Sequence, residues 1–177
     1  MLTEIPPLDS LLHTHAGALG GDFAAYRNHT YRVANFCAAL SAESPGRLEK
    51  IAIAAACHDL GIWTNGTFDY LPPSVRLARA HLAAIGREEW SREITAMIEE
   101  HHKITAYRGD AGPLVEAFRR ADWIDVSRGL LTFGQRRADV AAVLSAWPNA
   151  GFHKRLVQLT ARRALTHPWS PLPMFRL

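Results

Sequence analysis

A chain of 177 residues with 48% hydrophobic and 21% charged side chains has the balance of one packed globular domain, and excludes collagen-like and disordered classes. A net charge of +3 at pH 7, with its basic residues scattered, leaves no footprint for a nucleic-acid polymer. The longest apolar run, residues 51–57, is far too short to cross a bilayer.

Along the chain, residues 1–20 read as an N-terminal extension with one short helix over residues 11–18. The opening MLTEIPPLDS lacks both the basic and the apolar region of an export signal. From Phe23 the apolar positions Tyr26, Val33, Phe36, Cys37 and Leu40 repeat with a helical period. Ser44 offers an N-cap and Pro45 a first helical position for a second helix running to His58, apolar nearly all round and so central. Cys37 and Cys57 fall inside these apolar patterns as small core residues, which fits a reducing cytoplasm.

Residues 60–73, with Gly61, Asn65, Gly66 and two prolines, read as a long loop, and Ser74 as the cap of a third helix through Val75, Ala78, Leu82 and Ile85. Gly86 closes that helix. A fourth helix carries Trp90, Ile94, Met97 and Ile98 to His101 and His102. Pro113 opens a fifth, with Leu114, Val115, Phe118 and Ala121, ending near Asp125 or Val126. Two more follow, one with Val140, Val143, Leu144 and Trp147 and one with Phe152, Leu156 and Leu159. No segment alternates with the period of a strand, so the fold class is all-α: a single helical bundle over residues 21–166, then a proline-broken, extended tail at 167–177.

Nine histidines are many for this length, and their positions are informative. His29 lies three residues after Tyr26 and four before Val33, on the face its helix buries. His58 and Asp59 end the most apolar helix. His81 stands three after Ala78 and four before Ile85, His101 four after Met97, and Asp122 four after Phe118. One buried imidazole is commonly satisfied by a backbone carbonyl, but several imidazoles and carboxylates on successive core-facing stripes are costly unless something compensates them together. A shared divalent cation does so. Imidazole with carboxylate and no thiolate suits manganese, iron, cobalt, nickel or zinc, in a catalytic site with open positions.

The strings NHTYRV around His29, AAACHDLG around His58 and Asp59, and FRRADWIDVS around Asp122 resemble the ordered motif of the HD superfamily of metal-dependent phosphohydrolases, over about residues 22–128. The resemblance implies an HD-type helical bundle in which His29, His58, Asp59 and Asp122 hold one metal ion. It also implies a six-ligand, dinuclear subtype in which Asp59 bridges to a second ion held by His81 and by His101 or His102. Neighbouring helical residues point about 100° apart, so His101 and His102 are not equivalent ligands of one ion, and periodicity favours His101. The alternative is a mononuclear site with these three histidines beside it. His13, His15, His153 and His167 match nothing in the motif and read as surface or packing residues.

The activity implied is hydrolysis of a small phosphorylated metabolite or nucleotide through a metal-bound hydroxide, with Asp59 at its centre. Arg32, one helical step from His29, is the first candidate to neutralise phosphoryl oxygens, followed by Lys103 and Arg108. Asp125 is placed to orient a water or pair with an arginine. Two other readings stay open: a di-iron oxygenase that cleaves a carbon–phosphorus or carbon–carbon bond with dioxygen, and a non-catalytic metal-stabilised module. The GYP motif of cyclic-dinucleotide phosphodiesterases is absent, and residues 60–73, with Trp63, Phe68 and Tyr70, are the expected source of selectivity. The sequence carries no sign of a membrane partner and none of an oligomeric state.

Overall fold

The computed structural model describes residues 1–166, Trp169 and Met174. Its described residues form ten α-helices and no strand: α1 (Pro6–Thr14), α2 (Ala16–Leu19), α3 (Phe23–Leu40), α4 (Arg47–Cys57), α5 (Gly61–Thr64), α6 (Leu71–Ala84), α7 (Ser91–Glu100), α8 (Leu114–Val126), α9 (Arg137–Ala146) and α10 (Phe152–Thr166). The all-α class read from periodicity is the class observed. None of the described helices is long and apolar enough to cross a membrane.

Helix α3 runs against α8 as the central pair, with α4 and α7 closing the core around them. Every residue of α4 from Ile51 to Cys57 is buried, as an all-round apolar helix requires, and its alanines let the neighbouring helices approach closely. Leu8, Leu11 and Leu12 of α1 seal the outer side of α4. The short helix expected over residues 11–18 is two helices, broken at His15.

Ser44 and Pro45 do not start α4. Its N-cap is Gly46 at φ 70°, where a Cβ would also lie 2.8 Å from Trp90, so glycine is required on two counts. The next residue, Arg47, turns back and donates to the Ala38 and Ser41 carbonyls at 2.8 and 3.0 Å. One buried guanidinium thus starts α4 and satisfies the carbonyls that end α3.

The stretch 60–73 is shorter as a loop than its glycines and prolines suggest. Helix α5 occupies residues 61–64, and α6 begins at Leu71 with its prolines in the first turn, where a missing N–H leaves no bond unmade. Ser74 is therefore inside α6 rather than its cap, and its hydroxyl accepts the Gly61 N–H at 3.0 Å. A Cβ on Gly61 would come 2.5 Å from the Tyr70 carbonyl oxygen. This close approach pins the turn after His58 and Asp59 to α6.

Helix α8 has no side-chain cap of its own; Glu93 of α7, paired with Lys50 of α4 at 2.8 Å, accepts the Leu114 N–H at 3.0 Å. The positions of α7 and α8, which carry the remaining polar core residues, are thereby linked. The tail expected at 167–177 lies outside the described residues except for Trp169, which is exposed, and Met174, which is buried.

Candidate metal centre

Four elements aim polar side chains at one region of the core. Helix α3 supplies His29, the turn after α4 supplies His58 and Asp59, the end of α7 supplies His101 and His102, and α8 supplies Asp122. His29 Nε2 lies 2.9 Å from His58 Nε2, 3.6 Å from Asp59 Oδ2 and 3.8 Å from Asp122 Oδ1. His58 Nε2 is 3.5 Å from Asp59 Oδ2 and 3.8 Å from Asp122 Oδ1. Donors about 2.0–2.2 Å from a common ion stand about this far from one another. All four side chains are buried, and a shared cation would satisfy the atoms they turn toward one another.

Each ring is held so that the converging nitrogen keeps its lone pair. His29 Nδ1 donates to Asp125 Oδ2 at 2.6 Å, His58 Nδ1 to the Ala55 carbonyl at 2.8 Å, and His101 Nδ1 to the Ile98 carbonyl at 2.6 Å. Fixing the tautomer through the far nitrogen is how metal-binding imidazoles are oriented. Burial, with His101 and His29 nearby, outweighs the Asp59 charge and pushes His58 down to about 3, so this ring is neutral. For Asp59, burial acts upward but His58, His101 and His29 together hold it well below the usual carboxylate range. Asp122 is pushed up to about 6, by burial first and by Asp59 and Asp125 next, against the pull of His101 and His29.

A second set of donors adjoins the first and shares Asp59. His101 Nε2 is 3.4 Å from Asp59 Oδ1, and His102 Nδ1 is 3.8 Å from Asp122 Oδ2. Asp59 Oδ1, His101 Nε2 and Asp122 Oδ2 are buried with no hydrogen-bond partner. Such atoms each cost about 1–3 kcal/mol, and three in one place fit a cation they jointly coordinate. Asp59, His101 and His102 bring ligand atoms within 4.8 Å of one another, as do His29, His58 and Asp59. The Tyr70 hydroxyl meets His102 Nε2 at 2.5 Å, which leaves Nδ1 facing Asp122.

His81 does not join either set, contrary to its expected role. The buried stripe of α6 is Leu71, Val75, Ala78 and Leu82, and Ile85, used to place His81 on that stripe, is 41% exposed. His81 is one residue off the stripe, half-buried, with Glu49 and His15 as its charged neighbours. His101 and His102 both face the centre instead, because α7 ends at Glu100.

The three candidate phosphate-binding cations are also elsewhere. Arg32 is fully buried and spends its guanidinium on Asp125, through Nε and through Nη2 at 3.0 Å, and on the Trp147 carbonyl at 2.8 Å. It reaches His29 through Asp125. Asp125 is held well below the carboxylate range because hydrogen bonds from His29 and Arg32 outweigh its burial. Lys103 sits 3.8 Å from Glu100, and Arg108 is exposed. Of the four unmatched histidines, His13 is exposed, His15 and His153 are half-buried, and His167 lies outside the described residues.

Two supports had no signal in the motif. The Tyr26 hydroxyl donates to the Ala56 carbonyl at 3.0 Å and accepts the Asp59 N–H at 3.3 Å, bracing the turn that presents Asp59. Phe152 of α10 stacks on His29, with centroids 4.0 Å apart and planes at 15°. A cavity of about 230 Å³ opens onto Asp59, His102 and Asp122 beneath α10.

The buried histidine and aspartate cluster on this all-helical bundle fits a metal site. Residues 26–127 match the HD domain family, and the chain belongs to that family. No curated protein and no solved structure matches the chain.

Proposed function

We propose that this protein is a metal-dependent phosphohydrolase that uses two divalent transition-metal ions to act on a small phosphorylated metabolite or nucleotide. The observation that supports it is the pair of donor sets joined through Asp59, the second ending in three buried atoms that lack hydrogen-bond partners. His29, His58, Asp59 Oδ2 and Asp122 Oδ1 would hold one ion, and Asp59 Oδ1, His101, His102 and Asp122 Oδ2 the other. Cations bound there supply Lewis acidity toward a phosphoryl oxygen and bring the deprotonation of water into the neutral range.

The chain's own groups do the rest. Asp125, clamped by Arg32, keeps the His29 proton on Nδ1 and its lone pair inward. Burial first, then Asp59 and Asp122, hold the Tyr70 phenol well above its ordinary value, so it stays neutral, and its oxygen accepts the His102 Nε2–H, which leaves Nδ1 its lone pair. The buried floor and the stacked Phe152 keep bulk water from the donor atoms. The test is phosphate release from a panel of phosphoesters after reconstitution with manganese, iron, cobalt, nickel or zinc. Release that Asp59→Ala abolishes is expected. Substrate-dependent oxygen uptake without phosphate release would replace this reading with a di-iron oxygenase.

A further inference from the structure

We infer that the substrate is a phosphomonoester with a compact apolar body, not a nucleoside triphosphate, and that α10 selects it. The inference rests on the phosphohydrolase reading and narrows its substrate class. Beyond the donors Asp59, His102 and Asp122 and the Tyr70 ring, the cavity is walled by Phe68, Val126, Phe152, Leu156, Thr160 and Met174. No lysine or arginine lines it among the described residues. Of the three candidate cations, Arg32 is paired with Asp125, Lys103 lies beside Glu100, and the exposed Arg108 does not line the cavity.

Size and charge point the same way. An apolar cavity of roughly 150 Å³ admits benzene, and drug-sized ligands take roughly 300 Å³ or more, so about 230 Å³ suits one ring or a short alkyl chain with one tetrahedral head. Two divalent ions less the charges of Asp59 and Asp122 leave at most two positive charges, no more than a single phosphoryl group, at about −1.5 to −2 at pH 7, can offset. A triphosphate would bring further charge into a wall of Phe68, Val126 and Leu156, where nothing pairs it. In the reaction the water oxygen joins phosphorus as the ester P–O bond breaks; one water proton leaves on the alcohol and the other stays with the released phosphate.

Three of the wall residues, Phe152, Leu156 and Thr160, come from successive turns of α10, which lies beyond the family match at 26–127. Arg155 of the same helix meets Asp22 at 3.0 Å, and Asp22 also accepts the Trp63 indole N–H at 2.9 Å. The wall is thereby tied to the segment that follows His58 and Asp59.

The experiment measures binding of phenylphosphonate and methylphosphonate to the metal-loaded wild-type protein by calorimetry, together with phosphate release from phenyl phosphate, AMP and ATP. Phenylphosphonate is expected to bind at least about tenfold more tightly than methylphosphonate, and phenyl phosphate to exceed ATP in kcat/KM by at least about tenfold. In Leu156→Arg, with metal content unchanged, the phenyl preference should fall by about tenfold. Equal affinity for the two phosphonates, or faster release from ATP, would overturn the inference while leaving a phosphohydrolase. The phenyl preference with no phosphate release from any ester would uphold the apolar pocket and sink the hydrolytic reading instead.

Discussion

Asp125 shows how much of the centre depends on groups that touch no metal. It accepts the His29 Nδ1–H at 2.6 Å and is gripped by Arg32, all three side chains being buried. Asp125→Asn keeps the shape but can present an N–H where His29 needs an acceptor. Metal affinity is expected to fall about 10–100-fold, measured by chelator competition. Arg32→Met instead leaves a buried carboxylate without its cation, and should cost about 3–5 kcal/mol in denaturant unfolding of the metal-free protein. If Arg32 were a substrate ligand, the same change would raise KM with stability intact. The spacing of Arg32 from His29 was visible in the sequence. Asp125 was read as a group that orients a water or pairs with an arginine, but which arginine, 93 residues away on another helix, was not visible.

At the scale of elements, the helices were legible wherever an apolar stripe was wide. Phe23 to Ser41 and the run ending at His58 were read close to their observed bounds. Boundaries failed where a long-range contact sets them: Gly46 against Trp90, and Ser74 against Gly61. Gly46→Ala should therefore destabilise by about 1–3 kcal/mol, since it meets both a positive φ and the indole; an unchanged thermal midpoint would refute that account. In α8, Glu116 is held down to about 2, because hydrogen bonds from Arg119, the Tyr107 N–H and Arg120 outweigh burial. Its folded pKa lies below the ordinary 4.5, so its contribution is complete above pH 4.5 and is lost as pH falls toward 2. Glu116→Gln should flatten the stability profile across that window, as followed by denaturant titration at successive pH values.

Across the whole molecule, the motif residues His29, His58, Asp59 and Asp122 converge because the central pair α3 and α8 and the end of α4 leave no other space for them. That much was written in the order and helical phase of the sequence. The second donor set was only half legible: His101 and His102 sit where α7 has just ended, so helical phase does not choose between them, while His81 was assigned from the resemblance and from a stripe through Ala78 and Ile85, of which Ile85 is exposed. Phe152 carried an apolar signal but none of its stacking on His29.

The most direct test is the metal content of protein purified without chelator, measured by elemental analysis for the wild type, Asp59→Ala and His81→Ala. Two ions per chain in the wild type and in His81→Ala, and none retained in Asp59→Ala, is the predicted result. A wild type with no ion, or an Asp59→Ala that keeps its full complement, would contradict a centre built on Asp59.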